Sequence, residues 1–172
     1  SRPKAAVART ELLLKLREFT PGEAIDELEK LRFSWRGGDF EFALLRRLGH
    51  LYLKEGDYRN GLRTLRQAAT HFRNHKKAPE VTQDMVDTFY KLYLQGGADS
   101  LPPVTAIALY DEFKELAGAK SDDVDRMLAD RLVSVDLLDR AAELLDAQVQ
   151  FRLKGVEKAR VGAQLALVHL KA

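Results

Sequence analysis

Three sets of side chains have types and spacings that could do chemistry. His71 and His75 stand four residues apart, which puts two imidazoles on one helix face where they could clamp a metal ion. Arg73, Lys76 and Lys77 crowd the same turn and no carboxylate is near in sequence, so the local field repels a cation. Basic residues at a helix C-terminus also serve its dipole, and no metal is expected. Arg59, Arg63 and Arg66, with Arg73, Lys76 and Lys77, could form a basic face for nucleic acid. That zone lacks the interleaved aromatics on which single strands stack, and the acidic region after it would repel a duplex. Arg46, His50 and Lys54, spaced i, i+4, i+8, share one helix face. Such a stripe suits an acidic ligand, although a solvated polar face has the same pattern.

Nothing in the chain points to catalysis. There is no Walker-type phosphate loop, no Rossmann glycine pattern and no serine nucleophile elbow. Gly37-Gly38 and Gly96-Gly97 read as turns. Asp122, Asp123 and Asp125 read as acids at a helix start, and Asp136 with Asp139 as a solvated pair. Cysteine is absent, which removes disulfides, thiolate metal sites and cysteine nucleophiles. The expectation is a binding module without enzymatic activity or cofactor.

The elements that position these groups are helices. Leu and Ala dominate the apolar residues and β-branched residues are few. The formal charge of +2 hides a segregation: Arg46–Lys77 holds nine Lys/Arg against two Asp/Glu, whereas Ala78–Phe151 holds six against fifteen. A bipolar surface follows, or helix electrostatics with solvated faces. No apolar run approaches the ~20 residues that span a bilayer. The leucines of Glu11–Phe19 are interrupted by charges, so this segment is no signal peptide. Because the chain starts at Ser1, it reads as a piece of a longer protein. A soluble, cytoplasmic chain is expected, with the periplasm open because any signal would lie upstream.

Periodicity and capping predict the helices in order. Leu12, Leu13, Leu16 and Phe19 mark the first, over residues 5–18. Thr20-Pro21-Gly22-Glu23 has the cap, the first-turn proline and the capping-box acid of a second, which continues through Ile25, Leu28, Leu31 and Phe33 to Trp35. The third covers about 40–54 and the fourth 58–73, joined by Glu55-Gly56-Asp57, with Gly56 left-handed and Asp57 capping. Further helices are expected at 81–94, 103–116, from a cap at Ser121, at 137–153, and from Glu157 onward. No strand pattern competes.

Leu45–Ala68 resembles a tetratricopeptide repeat. Leu45, Leu48, Gly49 and Tyr52 fit the first helix of that family, and Tyr58, Gly61, Leu65 and Ala68 the second, with Gly61 where Ala is usual. The family's closing proline is missing near Arg73. Gly49 and Gly61 would permit close helix approach, with Tyr52 and Leu65 filling the space between. Weaker copies follow at steps of 40: Leu92 stands at the place of Tyr52, then Leu132, with Leu128, Ala129, Leu138, Ala141 and Leu145 around it. Around Leu92 the fit is poorer, with Phe89 where a small residue belongs. His169 takes that place in the last helix.

The resemblance implies an all-α, right-handed superhelix of about four and a half antiparallel hairpins, at about 5–36, 40–73, 80–117, 121–153 and a half unit 157–172. It forms a single repeat domain over 1–172, cut from a longer array, whose final helix could drive self-association. It also implies a protein-interaction scaffold with a concave groove that receives a peptide or protein segment. Carried over position by position, the groove wall is Ala43, Arg46, His50, Leu53 and Lys54, then Gln83, Val86, Tyr90, Tyr93 and Leu94, then Asp123, Arg126, Asp130 and Val133. Cations come first, then aromatics, then mixed charge, so an acidic segment suits the first part. A self-associating structural segment and a basic-face nucleic-acid binder are the alternatives.

Overall fold

The computed structural model describes residues 1–151 and 162–168. Every regular element among them is helical, so the chain is all-α, and no helix among them is long and apolar enough to cross a membrane. The expected end of the eighth helix at Leu153, the break at Gly155, and the last helix's start at Glu157 and end at His169–Ala172 lie outside the described residues. Contacts divide the chain into two compact units, Ser1–Met85 and Val86–Ala172.

In the first unit, α1 (Arg2–Lys15) packs on α2 (Pro21–Ser34), α2 on α3 (Gly38–Lys54), and α3 on α4 (Tyr58–His71). Helix α5 (Ala78–Tyr93) begins in this unit. The start of α2 is fixed locally. The Glu23 amide donates to Thr20 Oγ1 at 3.1 Å, and the Thr20 amide donates back to Glu23 Oε1 at 3.1 Å. The two bonds satisfy donors that a bare helix end leaves orphaned. Asp57 caps α4 by accepting from the Asn60 amide at 3.2 Å. The core of the unit gathers Ala24, Ile25 and Leu28 of α2 with Leu44, Leu48 and Leu51 of α3. Each fully buried leucine contributes about 1.5–3 kcal/mol of transfer free energy.

One turn geometry recurs. Gly56 has φ 81°, its amide donates to Leu53 O at 3.0 Å, and the next amide, of Asp57, reaches Tyr52 O at 2.9 Å. This is the Schellman arrangement, which needs a left-handed residue after the helix. Arg17 (φ 60°) repeats it, with Glu18 bonded to Leu13, and Asp136 (φ 65°) repeats it with Leu137 bonded to Leu132. Gly96 is left-handed too, at φ 82°. The four positions, 17, 56, 96 and 136, fall at steps of 39, 40 and 40, matching the register read from Tyr52, Leu92 and Leu132.

Gly49 and Gly61 hold α3 against α4. A Cβ at Gly49 would stand 2.6 Å from Leu65 Cδ2, and one at Gly61 would stand 2.5 Å from Leu53 Cδ2. Leu65 is fully buried in this clasp, with Leu62 and Ala68 beside it. The Tyr52 hydroxyl donates to Glu29 Oε1 at 2.9 Å, and Arg32 links the same carboxylate to Gln67 of α4. Burial first, then the bond to Glu29, holds the Tyr52 hydroxyl well above the usual phenol range.

The apolar residues of α1 divide differently from the expected stripe. Pro3 and Thr10 are buried and Val7 and Leu14 pack on the core, whereas Leu12 and Leu16 on the opposite side are exposed. Phe33 and Trp35, at the end of α2, are exposed as well, beyond the Ala24–Ile25–Leu28 face.

The second unit contains the rest of α5, a 3-10 turn at Gly97–Ser100, α6 (Pro103–Phe113), a 3-10 stretch at Lys114–Lys120, α7 (Ser121–Ser134), α8 (Leu138–Phe151) and a helical segment at 162–168. Phe89 and Phe113 are fully buried. Leu128, Ala129 and Leu132 of α7 and Ala141 and Leu145 of α8 are buried where those helices pack. Ser121 does not cap α7: it is the first helical residue, and Lys120 at the cap position makes no side-chain bond. Asp125 is not a solvated helix-start acid either. It is 2% exposed and accepts a 2.5 Å hydrogen bond from the Tyr110 hydroxyl.

Candidate functional site

Folding brings the two cationic stretches of the first unit together. Arg46, Arg47 and His50 project from α3, while His75, Lys76 and Lys77 come from the connector between α4 and α5. With Asp39, Phe42 and Ala43 of the first turns of α3 they line one open cleft of about 410 Å³. Four permanent cations and two imidazoles therefore share a cleft whose lining includes one carboxylate.

The connector is held down by an aromatic clip. The His75 ring stacks on Phe42, with centroids 3.8 Å apart and planes 13° from parallel. His75 Nε2 lies 3.0 Å from Asp39 Oδ1, and His75 Nδ1 accepts the Lys77 amide at 3.0 Å. Both ring nitrogens are thus engaged. His71 instead meets Phe72 edge to face, so the two histidines are turned to different neighbours. Among the described residues, no three His, Asp or Glu side chains converge to hold a metal ion.

Carboxylates already offset part of the charge. Arg46 Nη1 donates to Glu80 Oε2 at 3.0 Å, and its Nη2 lies 3.7 Å from Asp84 Oδ2. The same Asp84 oxygen stands 2.9 Å from His50 Nε2. Arg47 grips Glu11 with both prongs, Nε at 2.5 Å and Nη2 at 2.9 Å. Lys76 and Lys77 are exposed, and their amines make no ion pair among the described residues. They are the cations most available to a ligand.

The other expected groove residues are distributed as follows. Leu53 packs over Gly61 on the α3–α4 interface, and Lys54 is exposed. Gln83 is exposed and Val86 half-buried. The Tyr90 hydroxyl donates to Ala117 O at 2.9 Å, with the Lys120 amine 4.7 Å from its ring centroid. Tyr93 is buried and donates to Ala106 O at 2.6 Å, which turns it toward α6. Burial first, then the charge of Asp111, raises its hydroxyl above the ordinary phenol range.

In the second unit, Leu94, Asp123, Arg126 and Asp130 do share a cleft, about 650 Å³ in volume, with Met127 and Gln164. Arg126 pairs with Asp123, and Gln164 donates to Asp130. Burial holds the Asp130 carboxyl above the usual range against the opposing pull of Gln164 and Arg126.

Sequence reasoning placed Arg46 and His50 correctly on one face of α3 but not the partners that fold onto them. Asp39, Phe42 and His75 carry no local signal of their convergence, and Lys76 and Lys77 read as part of a basic face with Arg59, Arg63 and Arg66, not as lining shared with Arg46 and His50. Compared with models of known protein families the chain matches none, and no curated protein matches it.

Proposed function

We propose that the chain is a run of tetratricopeptide-like helical hairpins and acts as a protein-interaction scaffold, with the cleft beside α3 receiving an acidic segment of a partner. The left-handed turns at 17, 56, 96 and 136 support a repeating unit. So do the side-chain pairs between helices: Arg46–Glu80, His50–Asp84 and Asp130–Gln164 are each separated by 34 residues, and Arg32–Gln67 by 35. These pairs tie helices of successive hairpins together, at separations shorter than the 39–40-residue step between the turns.

The observation that carries the binding role is the cleft itself. Lys76 and Lys77 line it and make no ion pair among the described residues, and Arg46 and Arg47 can divide their N–H donors between their present carboxylates and an incoming one. Charge-assisted bonds of this kind set orientation and on-rate more than raw affinity.

A labelled eight-residue glutamate peptide, followed by fluorescence anisotropy, tests the reading. Binding should weaken as salt rises and be lost in the Lys76→Glu/Lys77→Glu variant. Equal binding by both proteins would overturn it, as would a single-stranded oligonucleotide that binds more tightly than the peptide.

A further inference from the structure

We infer that His50 and His75 make the cleft a pH-gated site, whose affinity for an acidic segment rises as pH falls. The inference rests on the reading of the cleft as the docking point for acid, and adds its regulation. The two imidazoles come from different elements and each faces one carboxylate. His50 on α3 meets Asp84 of α5, beside Arg46, which is itself bonded to Glu80. His75 on the connector meets Asp39 of α3, with Lys76 and Lys77 next to it in the chain.

Protonation acts on the two in different ways. A proton on His50 turns its contact with Asp84 into an ion pair and adds a positive charge beside Arg46, which stays bonded to Glu80. His75 uses both nitrogens: a neutral ring donates from Nε2 to Asp39 and accepts at Nδ1 from the Lys77 amide. A second ring proton removes the acceptor at Nδ1, because both nitrogens of an imidazolium are donors. The Lys77 amide then loses its partner and becomes a donor for an incoming carboxylate. The stack of His75 on Phe42 survives this change, since a cation over an aromatic face is attracted to it. Each protonation adds one positive charge to the cleft.

The test uses the glutamate peptide between pH 8 and pH 6, a range in which its carboxylates stay charged. Each added charge about 6 Å from a ligand carboxylate gives roughly threefold in affinity at the dielectric of water. Binding should therefore tighten by about tenfold over the range, by about threefold in His50→Gln or His75→Phe, and not at all in the double variant. Phe at 75 keeps the ring stack and cannot take a proton. A wild-type protein without ligand gives a second readout: the backbone amide resonance of Lys77 should titrate together with the His75 ring. A flat wild-type profile, an undiminished pH dependence in the double variant, or a Lys77 amide that ignores His75 would each overturn the gate. Absence of binding at every pH would instead overturn the reading of the cleft, and the gate with it.

Discussion

Gly49→Ala sets two opposing effects against each other at the tightest point of the α3–α4 clasp. Alanine gains about 1 kcal/mol over glycine inside a helix. Against this, the new Cβ would lie 2.6 Å from Leu65 Cδ2, 2.7 Å from Leu65 Cγ and 3.3 Å from Gly61 O. Leu65 is fully buried and cannot swing into solvent, so the helices must part or the side chain must leave its rotamer. Overpacking of this kind costs about 1–3 kcal/mol, and here the backbone oxygen blocks the easy route of relief. We expect a net loss of about 1–2 kcal/mol. Leu65→Ala alone should cost about 2–5 kcal/mol through the cavity it leaves. The double variant should cost no more than Leu65→Ala, because the cavity accommodates the extra methyl, giving a coupling of at least about 1 kcal/mol. Urea unfolding followed by far-UV circular dichroism measures all four corners of the cycle. Stabilisation by Gly49→Ala, or additive single effects, would refute the clasp. Gly61→Ala is as tight: its Cβ would lie 2.5 Å from Leu53 Cδ2 and 3.1 Å from the Leu53 backbone nitrogen, so a similar loss is expected although the Leu53 side chain is half-exposed.

The capping box at α2 predicts that Thr20→Ala lowers stability by about 1 kcal/mol in the same unfolding assay, with Glu23→Ala showing a smaller loss. The recurring turn predicts opposite signs at equivalent places: Asp136→Gly should raise the unfolding free energy by up to about 1 kcal/mol, and Gly56→Ala should lower it by a similar amount. Asp130 keeps its proton to higher pH when folded than when unfolded, so stability falls as pH rises from its ordinary 3.8 through the raised value. Asp130→Asn removes that loss, so the variant should gain on the wild type across this window when unfolding midpoints are compared at pH 3.5 and pH 7.

What the sequence makes legible here is local. Thr20 and Glu23 announce α2 because both bonds of the box close within one turn, and Glu55-Gly56-Asp57 announces the next turn because only a left-handed residue completes it. The register of Tyr52, Leu92 and Leu132 is equally visible, since each lies in the last turn of a helix, four residues before a left-handed position. The step from residue to neighbour is where reading stops. Tyr93 has the spacing of a groove residue, yet its hydroxyl finds a carbonyl on α6. Leu53 has no local reason to lie on Gly61 until α3 and α4 cross. Asp125 is one acid among several at the start of α7, and its burial goes with a hydrogen bond from Tyr110 of α6 that no local pattern announces. The cleft is the extreme case. Its lining spans Asp39 to Lys77, and its charge balance depends on Glu11, Glu80 and Asp84, which lie 34–38 residues from the arginines they meet.

The central claim is that the cleft between α3 and the 72–77 connector takes an acidic segment. The most direct measurement is an amide-resolved titration of the ¹⁵N-labelled protein with the glutamate peptide. Shifts should concentrate on Asp39–His50 and His75–Lys77 and disappear in the Lys76→Glu/Lys77→Glu variant. Shifts centred on the second unit, or spread evenly over all exposed lysines and arginines, would contradict the account.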